Sequence, residues 1–528
     1  MEQLQSFKVI CEGGLNSNNN YLELSERFPG SATELLNFEP SLFGGYRRIS
    51  GYEAFDEDYP EVDAVNATGP ILALAIYNDD VITAREQNGG AVYAFYKNDS
   101  PWTAYVTGLP LNSANVQKIR HVTFNFNGTE HIAFTDGANN AILYNNSTWK
   151  FINPANGGSN HNDAGGNQAL DAPKYITVFK NHVFVAGDVV NPHIVAHSAP
   201  FEDYDWTAAG GAGQINAGFK IVQIKPFRDE LYVFGERHIK KIVTEGENFV
   251  LKDVAYNIGC IAPDSVVEIN GDLLFLAQDG FRTIAGTERI GDVELGVMSK
   301  NIQNDVIGLV TSSDLSSINA VVVRRKSQVR FFFSDDTTDP TENQGVIGGL
   351  RASVNGVNWE WGLLEGISTS VCTSSYIGTD EFVLHGSFDG KVYRQEQGNS
   401  FDGNRILAIY STPYYDFGDV WTRKTTHAVN VFVRPEGSTD ISLKSEFDWE
   451  DTKVFNPRNY VLELNSSGEA YGVAVYGVST YATRPLPFIK HSMEGSGYSN
   501  RLTFFTNDTN ASYTIQSFVY EMKPNGRK

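Results

Sequence analysis

One unit recurs along the middle of this chain and limits what it can fold into: a β-run, a turn at Asn, Asp or Gly, and a second, very apolar β-run. Leu72 to Tyr77 turns at Asn78-Asp79 into Val81-Ile82-Thr83, and Phe124 onward turns at Asn127-Gly128 into His131-Ile132-Ala133-Phe134. The same shape follows at Ile176 to Asn181 with Val183-Phe184-Val185-Ala186, at Val222 to Asp229 with Leu231-Tyr232-Val233-Phe234, and at Val266 to Gly271 with Leu273-Leu274-Phe275-Leu276. Weaker copies are Ala320 to Ser327 with Val329-Arg330-Phe331-Phe332-Phe333, and Tyr376 to Asp380 with Phe382-Val383-Leu384. The turns stand 42 to 56 residues apart, the size of four-stranded propeller blades. Asp136-Gly137, Asp279-Gly280 and Asp389-Gly390 add a second hairpin signal, because Asp-Gly supplies the positive φ of a two-residue turn. Trp102, Trp149, Trp206 and Trp359 sit where each would close its blade. This pattern predicts an all-β chain with a β-propeller over residues 68–398, of seven blades with six as the alternative count.

The rhythm changes on either side. Ala428 to Val433, Ile441 to Phe447, Arg501 to Phe505 and Tyr513 to Tyr520 alternate apolar with polar residues, the signature of sheets with one solvated face. They predict a β-sandwich over 405–528, joined to the propeller by a cleavable linker near Gln397 to Asn404. Residues 1–67 read as an extended docking arm and linker: Asn16 to Asn20 as a polar flexible stretch, Ala32 to Phe38 as one short strand or helix, and Asp56 to Asp63 as an acidic linker.

Composition narrows the chemistry. In 528 residues, 41 Lys and Arg stand against 63 Asp and Glu, a formal charge of −22, which argues against a surface built to grip phosphates. Cys11, Cys260 and Cys372 are far apart, lack zinc spacing and read as reduced, mostly buried thiols. The first ten residues lack the pattern of a signal peptide and no apolar run reaches a membrane span, so synthesis in the cytoplasm and no membrane insertion are expected. Sequons such as Asn127-Gly128-Thr129 then reflect an Asn- and Thr-rich turn vocabulary.

Motifs of catalysis are missing: there is no HExxH, Walker-type loop, nucleophile elbow or EF-hand spacing. Gly210 to Gly213 with Gly218 lacks the strand and helix of a nucleotide-binding loop and reads as a flexible connection. Ser387-Phe388-Asp389-Gly390 begins like the Asp-box turn of sialidases, yet Lys391-Val392-Tyr393 does not complete it. A propeller glycoside hydrolase would need two carboxylates roughly 5 to 10 Å apart around its channel. The run Asp56-Glu57-Asp58 with Glu61 and Asp63 offers oxygens to a hard cation, with a solvated linker as the plainer reading. Neither a cofactor nor a resident metal is expected, nor an enzyme.

The stretch from Pro29 to Tyr52, with Asn37-Phe38-Glu39-Pro40 leading into Gly44-Gly45-Tyr46-Arg47-Arg48-Ile49 and Gly51-Tyr52, resembles the opening of bacteriophage tail tubular (nozzle) and packaged-DNA-stabilisation proteins. Ser411 to Gly418 with Arg423-Lys424, and the ending Pro524 to Arg527, are similar to the C-terminal part of that family. The resemblance implies a virion location, at the tail or head-tail junction, in a homo-oligomeric ring, commonly a hexamer. That ring would contact other tail or neck proteins, with phage DNA passing through an acidic sleeve that does not hold it. A fibre, collar or baseplate role in a long-tailed phage is the alternative, and a propeller glycoside hydrolase or glycan-binding tail protein the second alternative. Within the arm, Phe38, Pro40, Gly44, Gly45, Tyr46, Arg47, Arg48, Ile49 and Tyr52 are the assembly candidates. They combine an apolar face with paired cations, and would either dock on a neighbouring subunit or supply the strand that closes the propeller.

Overall fold

The computed structural model describes residues 4–525 apart from 43, 64, 66, 88–91, 110, 112–115, 153–167, 204, 247, 286–296, 335–342, 354–355, 452 and 465–487. Phe43, Gly526 and Arg527 of the family-like stretches lie outside the described residues.

Seven antiparallel units stand in a ring. Their inner strands are Ala67–Tyr77, Arg120–Phe126, Tyr175–Phe179, Ile221–Phe227, Val267–Ile269, Asn319–Val323 and Val371–Ile377; each packs beside the next, except that the fourth meets the fifth unit through the turn Pro263–Ser265, and the last lies against the first. Among the described residues, six units have four strands and the fifth has three, extended by a single bridge from Arg282 to Val297. The six-blade and seven-blade counts thus differ by this one shorter unit. The second strand of each blade is the buried one, as in Val183-Phe184-Val185-Ala186, at 2% exposure or less throughout. It is sandwiched between neighbouring blades, which is why its sequence is a continuous apolar run rather than an alternation.

The turns follow from backbone chemistry. Asn78 and Asp79 have φ of 50° and 62°, Asn127 and Gly128 of 56° and 82°, and Asn270 and Gly271 of 52° and 77°. Positive φ at both central residues is what a tight hairpin between twisted strands requires, and Asn, Asp and Gly reach it at least cost. Trp102, Trp149 and Trp359 lie on the outermost strands of their blades, and Trp206 is buried at the outer edge of the third.

The arm runs through the whole molecule. Strand β1 (Gln5–Ile10) pairs with Tyr513–Pro524, and β2 (Glu34–Leu36) lies between Gly356–Glu365 of the sixth blade and Ile406–Ser411. Strands β3 (Phe38–Pro40) and β4 (Tyr46–Arg48) form a hairpin on Tyr513–Pro524, and β5 (Tyr52–Ala54) is the fourth strand of the seventh blade. The expected single element over Ala32 to Phe38 is thus two strands, broken where Asn37 turns at φ 53°. Because β2 is shared, one nine-stranded sheet runs from the sixth blade into the C-terminal region. A seven-stranded sheet containing β1, β3 and β4 faces it, and their apolar faces meet in one core with the fifth and sixth blades.

Three segments expected to be loose are tied down. Asn16 is 2% exposed, and the Ser17 N–H donates to the Asn301 carbonyl (3.1 Å). Asp56 is 7% exposed and accepts from Asn98 Nδ2 (3.0 Å) and Ser100 Oγ (2.8 Å), while Glu61 pairs with Arg85 (3.1 Å). Asp56 and Glu61 thus tie the run to the first blade, while Glu57 and Asp58 between them are exposed, as a solvated linker implies. At the expected hinge, the Gly51 N–H donates to the Gly398 carbonyl (3.1 Å), and buried Phe401 stacks on Tyr52 with ring centroids 4.9 Å apart. The described residues include two α-helices outside the expected strands, α1 (Tyr21–Arg27) and α2 (Gln303–Ser312), the latter burying Val306 and Leu309 beside the fifth and sixth blades. Among the described residues, no helix is long and apolar enough to cross a membrane.

Candidate functional site

The inner strands converge on a central cavity of about 250 Å³, lined by residues from all seven blades. Its charged side chains are Lys118, Arg120, Lys225 and Asp264. Asp264 stands just ahead of the fifth blade, where a short turn over Pro263–Ser265 delivers its carboxylate to the second blade's cations. Arg120 donates to it twice, from Nε (2.7 Å) and Nη2 (2.9 Å), and Lys118 Nζ once (3.0 Å). Lys118 also donates to Asn319 Oδ1 (2.8 Å) and the Ser316 carbonyl (3.3 Å). Burial alone would raise the Asp264 carboxyl, but Arg120 and Lys118 outweigh it and hold it well below the usual range. Burial, with Lys225 adding to it, pushes His121 down to about 4, so its imidazole is neutral at pH 7.

Asp264 is the one carboxylate among the residues lining this cavity. Acid-base hydrolysis of a glycosidic bond uses a pair, one protonated and one ionised. A single carboxylate locked between two cations is a poor proton donor and is not free to act as a nucleophile.

A second hollow, of about 510 Å³, opens between the first, second and seventh blades at the ends of their inner strands. Tyr77, Phe124 and Tyr376 line it together with Asp79, Glu130 and His131. Tyr376 is 47% exposed, and the Tyr77 hydroxyl donates to the Glu130 carbonyl (2.8 Å).

The nine arm residues occupy neither hollow. Phe38, Tyr46 and Arg48 are 0% exposed, and Ile49 is 1% exposed. The Tyr46 ring meets Tyr410 edge-on at 5.0 Å, and its hydroxyl accepts from the Gly14 N–H (2.9 Å) and donates to the Gly30 carbonyl (2.9 Å). Arg48 donates to the Asn510 and Asp508 carbonyls, both at 2.6 Å. Arg47 grips both oxygens of Glu436 at 2.6 Å and Glu39 at 2.8 Å. Pro40 is buried, and its carbonyl accepts from Gln328 Nε2 (3.3 Å). Gly44 and Gly45 turn the β3–β4 hairpin at φ 85° and 87°, and a Cβ on Gly45 would fall 2.2 Å from the Ile515 carbonyl oxygen. Tyr52 lies on the strand that completes the ring. These residues are an internal seam that stitches blades to sheets, and the apolar face expected to dock on a neighbour is spent inside the chain. Pairings across hundreds of residues left no local trace of that destination.

One end of the C-terminal sheets carries what sequence reading missed. Val420 (51% exposed), Trp421 (75%), Trp449 (50%), Phe455 (65%) and Tyr498 (45%) project from the loops around residues 414–424, 448–456 and 494–500. The loops are joined: Lys424 Nζ donates to the Asp416 (2.5 Å) and Tyr498 (3.2 Å) carbonyls, and Asp448 Oδ1 accepts from the Tyr498 N–H (2.7 Å). Trp449 stacks on Tyr414 at 4.3 Å. Asp448, Trp449 and Glu450 hold φ of 50°, 61° and 58°, three consecutive left-handed residues that cost on the order of 1 kcal/mol each.

No family model and no curated protein matches the chain. Among solved structures, an ancestral GH74 enzyme is similar with a TM-score of 0.37 and 11% identity, covering 62% of this chain, which spans only 48% of that one. A glycoside hydrolase family 43 arabinoxylan arabinofuranohydrolase from Bacillus subtilis gives a TM-score of 0.25 and 11% identity, over 88% of this chain and 97% of that one. The WD40 domain of Pan2 from Neurospora crassa gives 0.34 and 6%, over 62% and 90%. Likenesses this distant say nothing of substrate or activity.

Proposed function

We propose that the chain is a structural component of a bacteriophage virion, a nozzle-like or head-tail junction part that assembles into a ring, and not an enzyme. The exposed aromatic end of the C-terminal sheets carries this reading. Five large apolar side chains stand exposed on hydrogen-bonded loops at this one end, and Trp and Tyr anchors of this kind dominate binding at protein interfaces. The family-like stretches support the placement because they build one seam: the Thr33 N–H donates to the Ser411 carbonyl (2.8 Å) and the Tyr415 hydroxyl to the Pro29 carbonyl (2.5 Å). The lone, ion-paired carboxylate of the central cavity supports a role without turnover. The charge of −22 fits a wall past which DNA slides without being held.

Replacing both Trp421 and Phe455 by serine tests this end. The double variant is expected to keep the wild-type β spectrum and denaturation midpoint yet sediment as a monomer, alone or with virion neighbours, where the wild type forms a larger particle. Equal assembly by both proteins would remove this end from the proposal.

A second reading, glycan binding or hydrolysis, rests on the outer hollow, where Asp79 and Glu130 accompany exposed Tyr376. Reducing ends released from host envelope polysaccharide by the wild type but not by Glu130→Gln or Asp79→Asn would establish it in place of the structural one.

A further inference from the structure

The central cavity has an imbalance of charge that the ring does not resolve. Three of its lining residues are cations and one is an anion, a local excess of two positive charges in a chain whose net charge is −22. Asp264 is fully used by Arg120 and Lys118, and Lys118 spends its remaining donors on Asn319 and Ser316. Lys225 stands apart. It extends from the fourth blade's inner strand into the same space, and among the described residues no acceptor lies within hydrogen-bonding or ion-pairing distance of its Nζ.

We propose that this cavity binds a small tetrahedral oxyanion of phosphate type, with Lys225 as its principal ligand and the Arg120–Lys118 pair supplying the surrounding positive field. A partly buried ammonium without a counter-ion is costly, and an anion seated against it restores what desolvation removes. Burial lowers the Lys225 pKa, the direction expected of an ammonium that lacks a partner, with Asp264 and Glu268 offsetting only part of it. A volume of about 250 Å³ is smaller than the pockets that take drug-sized ligands, which suits a compact anion. Phosphate can enter free or as a phosphoryl group carried on a larger molecule, and the chemistry at Lys225 is the same.

The test is a titration of the full chain with inorganic phosphate, sulfate and glycerol 3-phosphate at ionic strength held constant with sodium chloride, so that screening does not vary. Binding is read by calorimetry and by the thermal midpoint, which a ligand of the folded state raises in a saturable way. Phosphate should saturate, and Lys225→Met should bind it at least about tenfold more weakly, while exposed Lys252→Met binds as the wild type. In phosphate-free buffer Lys225→Met should melt no lower than the wild type, because it removes a charge without breaking a pair. Lys225→Gln serves if the Met variant does not fold, with the same loss of binding expected. Saturation by glycerol 3-phosphate as well would assign the site to phosphoryl groups, and by inorganic phosphate alone to the free ion. Absence of saturation beyond the chloride control, or equal binding by the Lys225 variants, overturns the proposal.

Discussion

Glu39→Ala should lower the unfolding free energy by about 3 kcal/mol, at the low end of what breaking a buried ion pair costs. Glu39 is 1% exposed on β3 and receives Arg47 (2.8 Å), Lys326 (2.6 Å) and Arg330 (3.4 Å). Arg330, also 1% exposed, and Lys326 share Glu396 as well, and Arg47 has Glu436. Three carboxylates thus face three cations where the arm crosses the sixth and seventh blades. Removing Glu39 leaves an excess cation beside the buried Arg330, and the remaining carboxylates, Glu396 and Glu436, are partly exposed and compensate it only in part. Glu39→Gln should lose less, since it keeps an acceptor and its volume. The check is the denaturant midpoint at an unchanged slope; a loss below about 1 kcal/mol for Glu39→Ala would show that the network is not holding the arm.

A larger effect is expected from removing the arm. A chain begun at residue 55 should not reach the native fold. It lacks β5, the outer strand of the seventh blade, and β2, the bridge within the nine-stranded sheet. It also lacks the buried side chains of Phe38, Tyr46 and Ile49, each worth about 1.5 to 3 kcal/mol of burial. The lost strands would leave apolar edges open to aggregation. A synthetic peptide of residues 1–54 added during refolding should rescue part of the soluble protein, because β-strands can pair in trans. Native-like melting of the truncated chain would mean that the arm decorates the ring and does not close it.

How much of this was legible in the sequence divides along the range of the interactions involved. Hairpins such as Asn78-Asp79 and Asn127-Gly128 were readable because positive φ is a local demand that few residues meet. The buried second strands were readable as well, since burial on both faces writes a continuous apolar run. The destination of the arm was not, because β2 pairs with residues 409–411 and 363, and nothing in the sequence of Glu34 to Leu36 names those partners. Helix α2 escaped notice because only Val306 and Leu309 are buried along it, too few to impose a period. The central cluster was hidden in the same way, as Lys118, Lys225 and Asp264 are brought together only when the ring closes. The exposed aromatics at 421, 449 and 455 look in sequence like ordinary core residues, and only the fold shows that they face outward. Cys11, Cys260 and Cys372 are unpaired, with burial pushing each thiol up to about 12, the environment expected of structural cysteines.

If this propeller is, as we propose, an assembly part of a virion channel, a projection of the purified protein, alone and after mixing with its virion neighbours, reveals it most directly. Closed rings with an axial opening wide enough for duplex DNA are expected, with no retention of double-stranded DNA at physiological salt, where screening acts over about 8 Å. Particles that stay monomeric under every mixture, or single chains that bind duplex DNA tightly with a steep salt dependence, would contradict the proposal.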